Sequence, residues 1–274
     1  HQTNPFIAIL KPNCSENIGE CYGFQLIYSG SFALSAELGN KGQTRVIGGI
    51  NDLNFRWKLE ENERFVTPQA AICYSDEGLG GMSRAYADFI RAQIVNSKWV
   101  DARRPVLVNN WEATYFDFGN ERLFPIVDEA ARLGMDTFVL DDGWFGKRDD
   151  ATSGLGDWFV NTNKLQGGLK PLIDRCKQRG LKFGLWFEPE MVSEDSDLFR
   201  AHPDWIIGKS GFEPVRQRTQ LVLDFSRGEV VDYIFGAVSE VLKNNDIAYV
   251  KWGMNRYLSE FYSSAVPADR PGEL

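Results

Sequence analysis

Thr137-Phe138-Val139-Leu140-Asp141-Asp142-Gly143-Trp144 sets four continuously apolar residues directly before two carboxylates, a glycine and an indole. A strand that is apolar on both sides is covered on both sides, the habit of parallel sheets rather than antiparallel ones. The texture recurs on either side of it. Val106-Leu107-Val108 runs into Asn109-Asn110-Trp111-Glu112, residues 183–187 run through Trp186 into Glu188-Pro189-Glu190, and residues 247–252 run into Gly253-Met254-Asn255-Arg256. Helix-like stretches at 122–133, 169–179 and 224–243 lie between them. Strands alternating with helices make parallel βα units. A doubly wound open sheet is the other reading, but no G-x-G-x-x-G turn follows the first strand, which disfavours its dinucleotide-binding form.

Residues 1–98 read differently. Phe6-Ile7-Ala8-Ile9-Leu10, the run 21–28, Arg45-Val46-Ile47 and Ala70-Ala71-Ile72-Cys73-Tyr74 are short β-like runs, separated by turn clusters such as Gly39-Asn40-Lys41-Gly42. That spacing predicts antiparallel hairpins. A helix is expected over 82–95, with Ala85, Phe89 and Ala92 at helical spacing. The expected fold class is α/β. Residues 1–98 would be the C-terminal part of an antiparallel β-sandwich domain with a linking helix, and 99–274 the first half of a (β/α)8 TIM barrel. Eight βα units take roughly 250 residues, so the barrel is expected to be incomplete in this sequence, with strand edges and apolar faces uncovered.

Composition excludes several classes. The net charge is −8 with no basic stripe, which argues against nucleic acid. No apolar run approaches the roughly 18 residues of a membrane span, and the start His1-Gln2-Thr3-Asn4-Pro5 shows no signal-peptide pattern. Cys14, Cys21, Cys73 and Cys176 form no CxxC pair, and His1 and His202 complete no metal cluster, so neither a metal nor a cofactor is expected. Scattered cysteines fit a cytoplasmic location. The 8 Trp leave two readings open: platforms for sugar rings, or an indole-rich core.

In a barrel the chemistry sits at the C-terminal ends of the strands. Four strand ends rich in indoles and carboxylates point to a polar small-molecule site, a solvated rim being the bland alternative. Carbohydrate fits best, because sugars offer hydroxyls to charged partners and an apolar face to indoles. Asp141 and Asp142 can reach one ligand only if the strand bends, which Gly143 permits; an exposed Asp-Gly turn is the alternative. Period-two alternation puts Tyr249, Lys251, position 253 and Asn255 inward, and Val250, Trp252 and Met254 outward against helices. An inward lysine requires a carboxylate or a ligand, and either aspartate could serve.

The stretches VLVNNWEATYFDF (106–118), FVLDDGWFGKR (138–148), GLWFEPEMV (184–192) and YVKWGMNR (249–256) resemble bacterial α-galactosidases of glycoside hydrolase family 36. Asn4-Pro5-Phe6 and Tyr74-Ser75-Asp76-Glu77-Gly78 extend the likeness over essentially the whole chain. The resemblance implies a β-sandwich followed by a (β/α)8 barrel and retaining hydrolysis of terminal α-galactosyl groups of melibiose and raffinose. It implies that Asp141 and Asp142 bind galactose hydroxyls, that Trp186 and Lys251 complete the sugar pocket, and that Trp111 and Arg218 lie nearby. A homo-oligomer is implied for the full-length protein.

One position departs from the pattern: the family's nucleophilic Asp is Gly253 here. A retaining glycosidase needs two carboxyl groups about 5–5.5 Å apart. The family's acid/base Asp is expected beyond Leu274. The chain as written is therefore expected to be inactive, a nucleophile-lacking variant or fragment. The unchanged flanks (Lys251, Trp252, Met254, Asn255) suggest deliberate replacement, a natural inactive paralogue being the alternative. A non-catalytic galactoside-binding protein and an α-N-acetylgalactosaminidase-like glycosidase are the other readings.

Overall fold

The computed structural model describes residues 3–53, 55–209, 211–259 and 261–266. The chain forms two compact units that divide between Arg103 and Arg104.

In the first unit, β1 (Phe6–Leu10), β2 (Cys21–Ile27) and β5 (Gln69–Ser75) make an antiparallel sheet in the order β1-β2-β5, and β3 (Phe32–Leu38) pairs with β4 (Thr44–Ile50) as a hairpin. The helix that follows, α1 (Gly78–Phe89), packs Met82 and Tyr86 against Cys21. It starts one turn earlier than the sequence spacing predicts. A five-residue π-helical turn (Ile90–Ile94) replaces its expected last turn, and α2 (Ser97–Val100) follows. The start is hidden from helical spacing because it lies in the chain reversal: Gly78 takes a left-handed φ of +71° and its amide donates to Gly19 O.

The second unit is built on four parallel strands, β6 (Leu107–Asn109), β7 (Thr137–Leu140), β8 (Lys182–Phe187) and β11 (Tyr249–Trp252), in the order β11-β8-β7-β6. A single turn, α3 (Trp111–Thr114), and the helix α4 (Asn120–Arg132) join β6 to β7. Helix α5 (Lys170–Gln178) joins β7 to β8. The connection to β11 holds β9 (Met191–Val192) paired with β10 (Leu221–Val222), the short helix α6 (Asp197–Ala201) and helix α7 (Gly228–Asn244). Helix faces repeat at three- and four-residue intervals: Leu123, Val127 and Ala130 on α4, and Val230, Ile234, Val238 and Val241 on α7, are buried. These faces join Phe183, Leu185 and Phe187 of β8 in one apolar core.

The parallel βα texture read from the sequence is the observed architecture, a partial barrel. One expectation fails on β11. Its outward residues alternate as predicted, but Val250, Trp252 and Met254 are 37%, 58% and 48% exposed instead of packed under helices. The physical reason is position: among the described residues β11 is an edge strand, with β8 on one side alone.

Candidate active site

Strand register decides which side chains share the inner face. Asn109 pairs with Val139, Val139 with Gly184 and Gly184 with Tyr249, so these four form one row across the sheet. A Cβ on Gly184 would come within 2.9 Å of Val139 Cγ2 and 3.0 Å of Tyr249 Cβ. The glycine is what lets two larger neighbours meet over the middle of the row. Two residues along each strand comes the next row on the same face: Asp141, Trp186 and Lys251, the last two a register pair.

Lys251 Nζ donates to Asp141 Oδ2 at 2.6 Å, spanning β8. Asn109 Nδ2 donates to the same oxygen, and the Asp142 amide donates to Asp141 Oδ1 at 2.9 Å. Asn110, fully buried, accepts the Asp141 amide on its own Oδ1 at 2.8 Å. The two aspartates, equivalent in the sequence as partners for the lysine, separate cleanly. Asp141 takes Lys251, and Asp142 takes Arg148 in a two-pronged pair, Nε to Oδ1 at 2.9 Å and Nη2 to Oδ2 at 2.8 Å. Gly143, at φ +105°, makes the bend that turns Asp142 toward Arg148. Burial pushes the Asp142 carboxyl above its ordinary range, against the Arg148 guanidinium, which pulls it down. Lys164 fixes the loop from below, donating to Gly143 O and Arg148 O at 3.1 and 2.9 Å.

Glu188 forms a second polar node. It is fully buried, accepts the Asn255 amide on Oε1 and accepts Gln220 Nε2 on Oε2 at 3.2 Å. Gln220 O in turn accepts Arg256 Nη1 at 2.7 Å. Burial holds the Glu188 carboxyl above its ordinary range. The node ties down the segment after β11, whose Gly253 amide donates to Phe187 O at 2.7 Å. It also ties down the turn 217–220, where Arg218 and Thr219 both take left-handed φ values, +52° and +61°.

Trp186 is 2% exposed and packs beside Phe145 and Trp158, with ring centroids 6.1 and 6.2 Å away. Trp144 Nε1 donates to its carbonyl at 2.9 Å. Trp111 packs edge-on against Tyr115 and Phe116. Among the described residues, Arg218 makes no hydrogen bond or ion pair with Asp141, Asp142, Trp186 or Lys251. The structure thus brings Asp141, Trp186, Lys251 and Gly253 together, keeps Asp142 beside them through Arg148, and leaves Arg218 exposed on its turn. Arg148 and Glu188 were not predicted as site groups. Arg148 carried a faint signal, a cation six residues after Asp142; the Glu188 contacts reach residues 32 and 67 positions away and left none.

Parallel βα units with fixed carboxylates, an ammonium and indoles at the carboxyl ends of their strands define a class: barrels that take a small polar ligand at the mouth. The Melibiase family profile matches residues 64–274, and that of the glycosyl hydrolase family 36 N-terminal domain matches residues 1–60. The chain belongs to the melibiase family, within glycosyl hydrolase family 36. An alpha-galactosidase of Lactobacillus acidophilus is 50% identical over 273 residues, which cover 100% of this chain and 37% of that protein. The alpha-galactosidase AgaA of Geobacillus stearothermophilus is 49% identical over 273 residues, again 100% and 37%. The crystal structure of an AgaA variant in complex with 1-deoxygalactonojirimycin superposes with a TM-score of 0.95 at 48% identity, covering 98% of this chain and 38% of that one. Another AgaA variant, in complex with raffinose, gives the same four values. The chain therefore spans 37% of the length of each of these two curated relatives. No helix among the described residues is long and apolar enough to cross a membrane.

Proposed function

We propose that this chain is the galactose-binding portion of an α-galactosidase acting on terminal α-D-galactosyl groups of oligosaccharides such as raffinose and melibiose. Asp141, Asp142, Trp186 and Lys251 hold the galactose, with Trp111 and Arg218 bordering it. The observation that carries this reading is the single inward row of Asp141, Trp186 and Lys251 at the strand ends, in a chain whose relatives include alpha-galactosidases. A charged, fixed hydrogen-bonding group beside an indole edge is what a sugar hydroxyl requires.

Gly253 stands at the nucleophile position in this reading. Retaining hydrolysis needs a carboxylate that attacks the anomeric carbon and a second group that protonates the leaving oxygen. Glycine has no side-chain carboxylate to offer, so the form with Gly253 binds the sugar without forming a glycosyl-enzyme. The domain division at 98/99, a cytoplasmic location and a homo-oligomeric full-length protein belong to the same proposal. Four cysteines free of disulfides and the exposed Val231, Tyr233 and Phe235 of α7 support the last two.

The test is an aryl α-galactoside assay on the full-length protein, with and without Gly253→Asp, alongside calorimetry with galactose. Galactose binding by both forms and turnover by the Asp form alone is the expected result. Robust turnover by the Gly253 form overturns the nucleophile assignment, and no galactose binding by either form overturns the site.

A further inference from the structure

Three cysteines meet in the first unit. Cys21 opens β2 and is fully buried, and Cys14 and Cys73 pack against it beside Met82 and Tyr86 of α1. Strand register separates its two neighbours. Cys21 faces Ser75 and Gly23 faces Cys73, so Cys21 and Cys73 are diagonal neighbours, whose α-carbons in an antiparallel pair lie about 7–8 Å apart. A disulfide does not bridge α-carbons more than about 7 Å apart without backbone movement, and paired strands resist that movement. Cys14 is on no strand. It lies in the reversal between β1 and β2, where its amide donates to Lys11 O at 3.0 Å and the Ser15 amide donates to Ile18 O at 2.9 Å. Gly19, at φ +97°, brings the returning chain so near that a Cβ there would come 2.7 Å from Cys14 Cα and 3.2 Å from Cys14 Cβ. This crossing sets the half-buried Cys14 thiol within hydrogen-bonding reach of Cys21. Burial pushes the Cys21 thiol up, and the Cys14 thiol pushes the same way. The more exposed Cys14 is therefore the sulfur that meets a soluble oxidant first.

The segment between the two cysteines holds the start of α1. The amides of Gly78, Leu79 and Gly80 donate to Gly19 O, Ser15 O and Glu16 O at 2.9, 3.0 and 2.8 Å, and no side chain caps this helix. Backbone carbonyls of one short segment thus do the work of an N-cap.

We propose that Cys14 and Cys21 form a reversible oxidation site, in which a disulfide closes the segment 14–21 and fastens the carbonyls that cap α1. The oxidant class is a hydroperoxide. The Cys14 thiolate sulfur attacks one oxygen of hydrogen peroxide, the O–O bond breaks, and the other oxygen leaves as hydroxide and takes up the Cys14 proton as water; the sulfur is left as a sulfenic acid. The Cys21 sulfur then attacks the Cys14 sulfur. The S–S bond forms, and the sulfenyl oxygen leaves with the Cys21 proton as water. Both thiols together give up two electrons and two protons, and the peroxide becomes two waters. Cys21 loses its contact with Gly78 O, at 3.4 Å, but Ser75 Oγ still donates to that carbonyl at 3.0 Å, so no buried acceptor is orphaned.

The test uses the full-length protein. It is treated with hydrogen peroxide, its remaining thiols are alkylated in denaturant, and it is cut after glutamate, which at Glu16 and Glu20 parts the two cysteines. The expected product is a pair of peptides joined through Cys14 and Cys21. The pair should vanish on treatment with dithiothreitol, be absent from Cys14→Ser and persist in Cys73→Ser. Both cysteines alkylated as in the untreated protein, Cys14 carried on to sulfinic acid with Cys21 still a thiol, or either cysteine joined to Cys73 or to a second chain overturns the pairing. Hydrogen exchange reads the fastening. The amides of Gly78, Leu79 and Gly80 should exchange about 10-fold more slowly in the oxidised parent than in the reduced one, and peroxide should not slow them in Cys14→Ser. A joined pair with unchanged exchange at these amides overturns the fastening of α1.

Discussion

Glu188 is the residue whose environment most constrains its chemistry. It has no contact with water, accepts from a backbone amide of the segment after β11 and from Gln220, and lies near Asp142. Burial raises its carboxyl above the ordinary value of about 4.3, so the folded protein holds this proton more tightly than the unfolded chain. Stability contributed here is present below the unfolded value and is lost as pH rises through the folded one. Glu188→Gln carries no such proton, and a Gln220 amide turned over can accept from it through Oε1, which is buried without a donor among the described residues. The variant should therefore gain on the parent in urea midpoint as pH rises from the unfolded carboxyl's value through the higher folded one. Asp128, Glu129, Glu194 and Asp197, held low by neighbouring arginines, titrate alike in both proteins and cancel in the difference. A difference that does not change with pH would show that burial does not raise the Glu188 carboxyl.

Among the elements, β8 positions the most. Its inward residues are Gly184 and Trp186, with Glu188 directly after its end, and its outward ones Phe183, Leu185 and Phe187 fill the core. The sequence run is apolar on both faces, which is why it reads as a buried parallel strand. What the run does not reveal is that the inner face is crowded from both neighbours at Gly184. Gly184→Val should destabilise by about 1–3 kcal/mol through overpacking against Val139 and Tyr249, and should weaken galactose binding by moving β11 and Lys251 off Asp141. Equilibrium denaturation and calorimetry check the two effects; an unchanged urea midpoint would mean the inner row has slack. The alternation that puts Lys251 and position 253 inward is legible in the residue order of β11, because pleating alone sets it.

For the molecule as a whole, the sheet of the second unit stops, among the described residues, at β6 on one side and β11 on the other, each an edge strand. Val106, Leu107, Val250 and Trp252 are exposed along these edges, as are Val231 and Phe235 of α7. Unpaired backbone beside apolar side chains is a template for association. A polypeptide of these 274 residues alone should self-associate in sedimentation at micromolar concentration. A well-behaved monomer with a sharp unfolding transition would show that these edges are tolerated in water.

The amino-acid sequence by itself determined the parallel βα order, the faces of the strands and the gathering of Asp141, Asp142, Trp186 and Lys251 at strand ends. These follow from periodicity, and periodicity is a property of the local backbone. Only the tertiary structure decided the partners. Lys251 chose Asp141 across 110 residues because β11 lies next to β8 in a register that points both inward. Arg148 took Asp142 because a glycine bend turned the two toward each other, and Trp186 lost its face to Phe145 and Trp158 while its edge came to rest over Gly253. Such choices depend on distances between segments far apart in the chain, and no local pattern of residues encodes them.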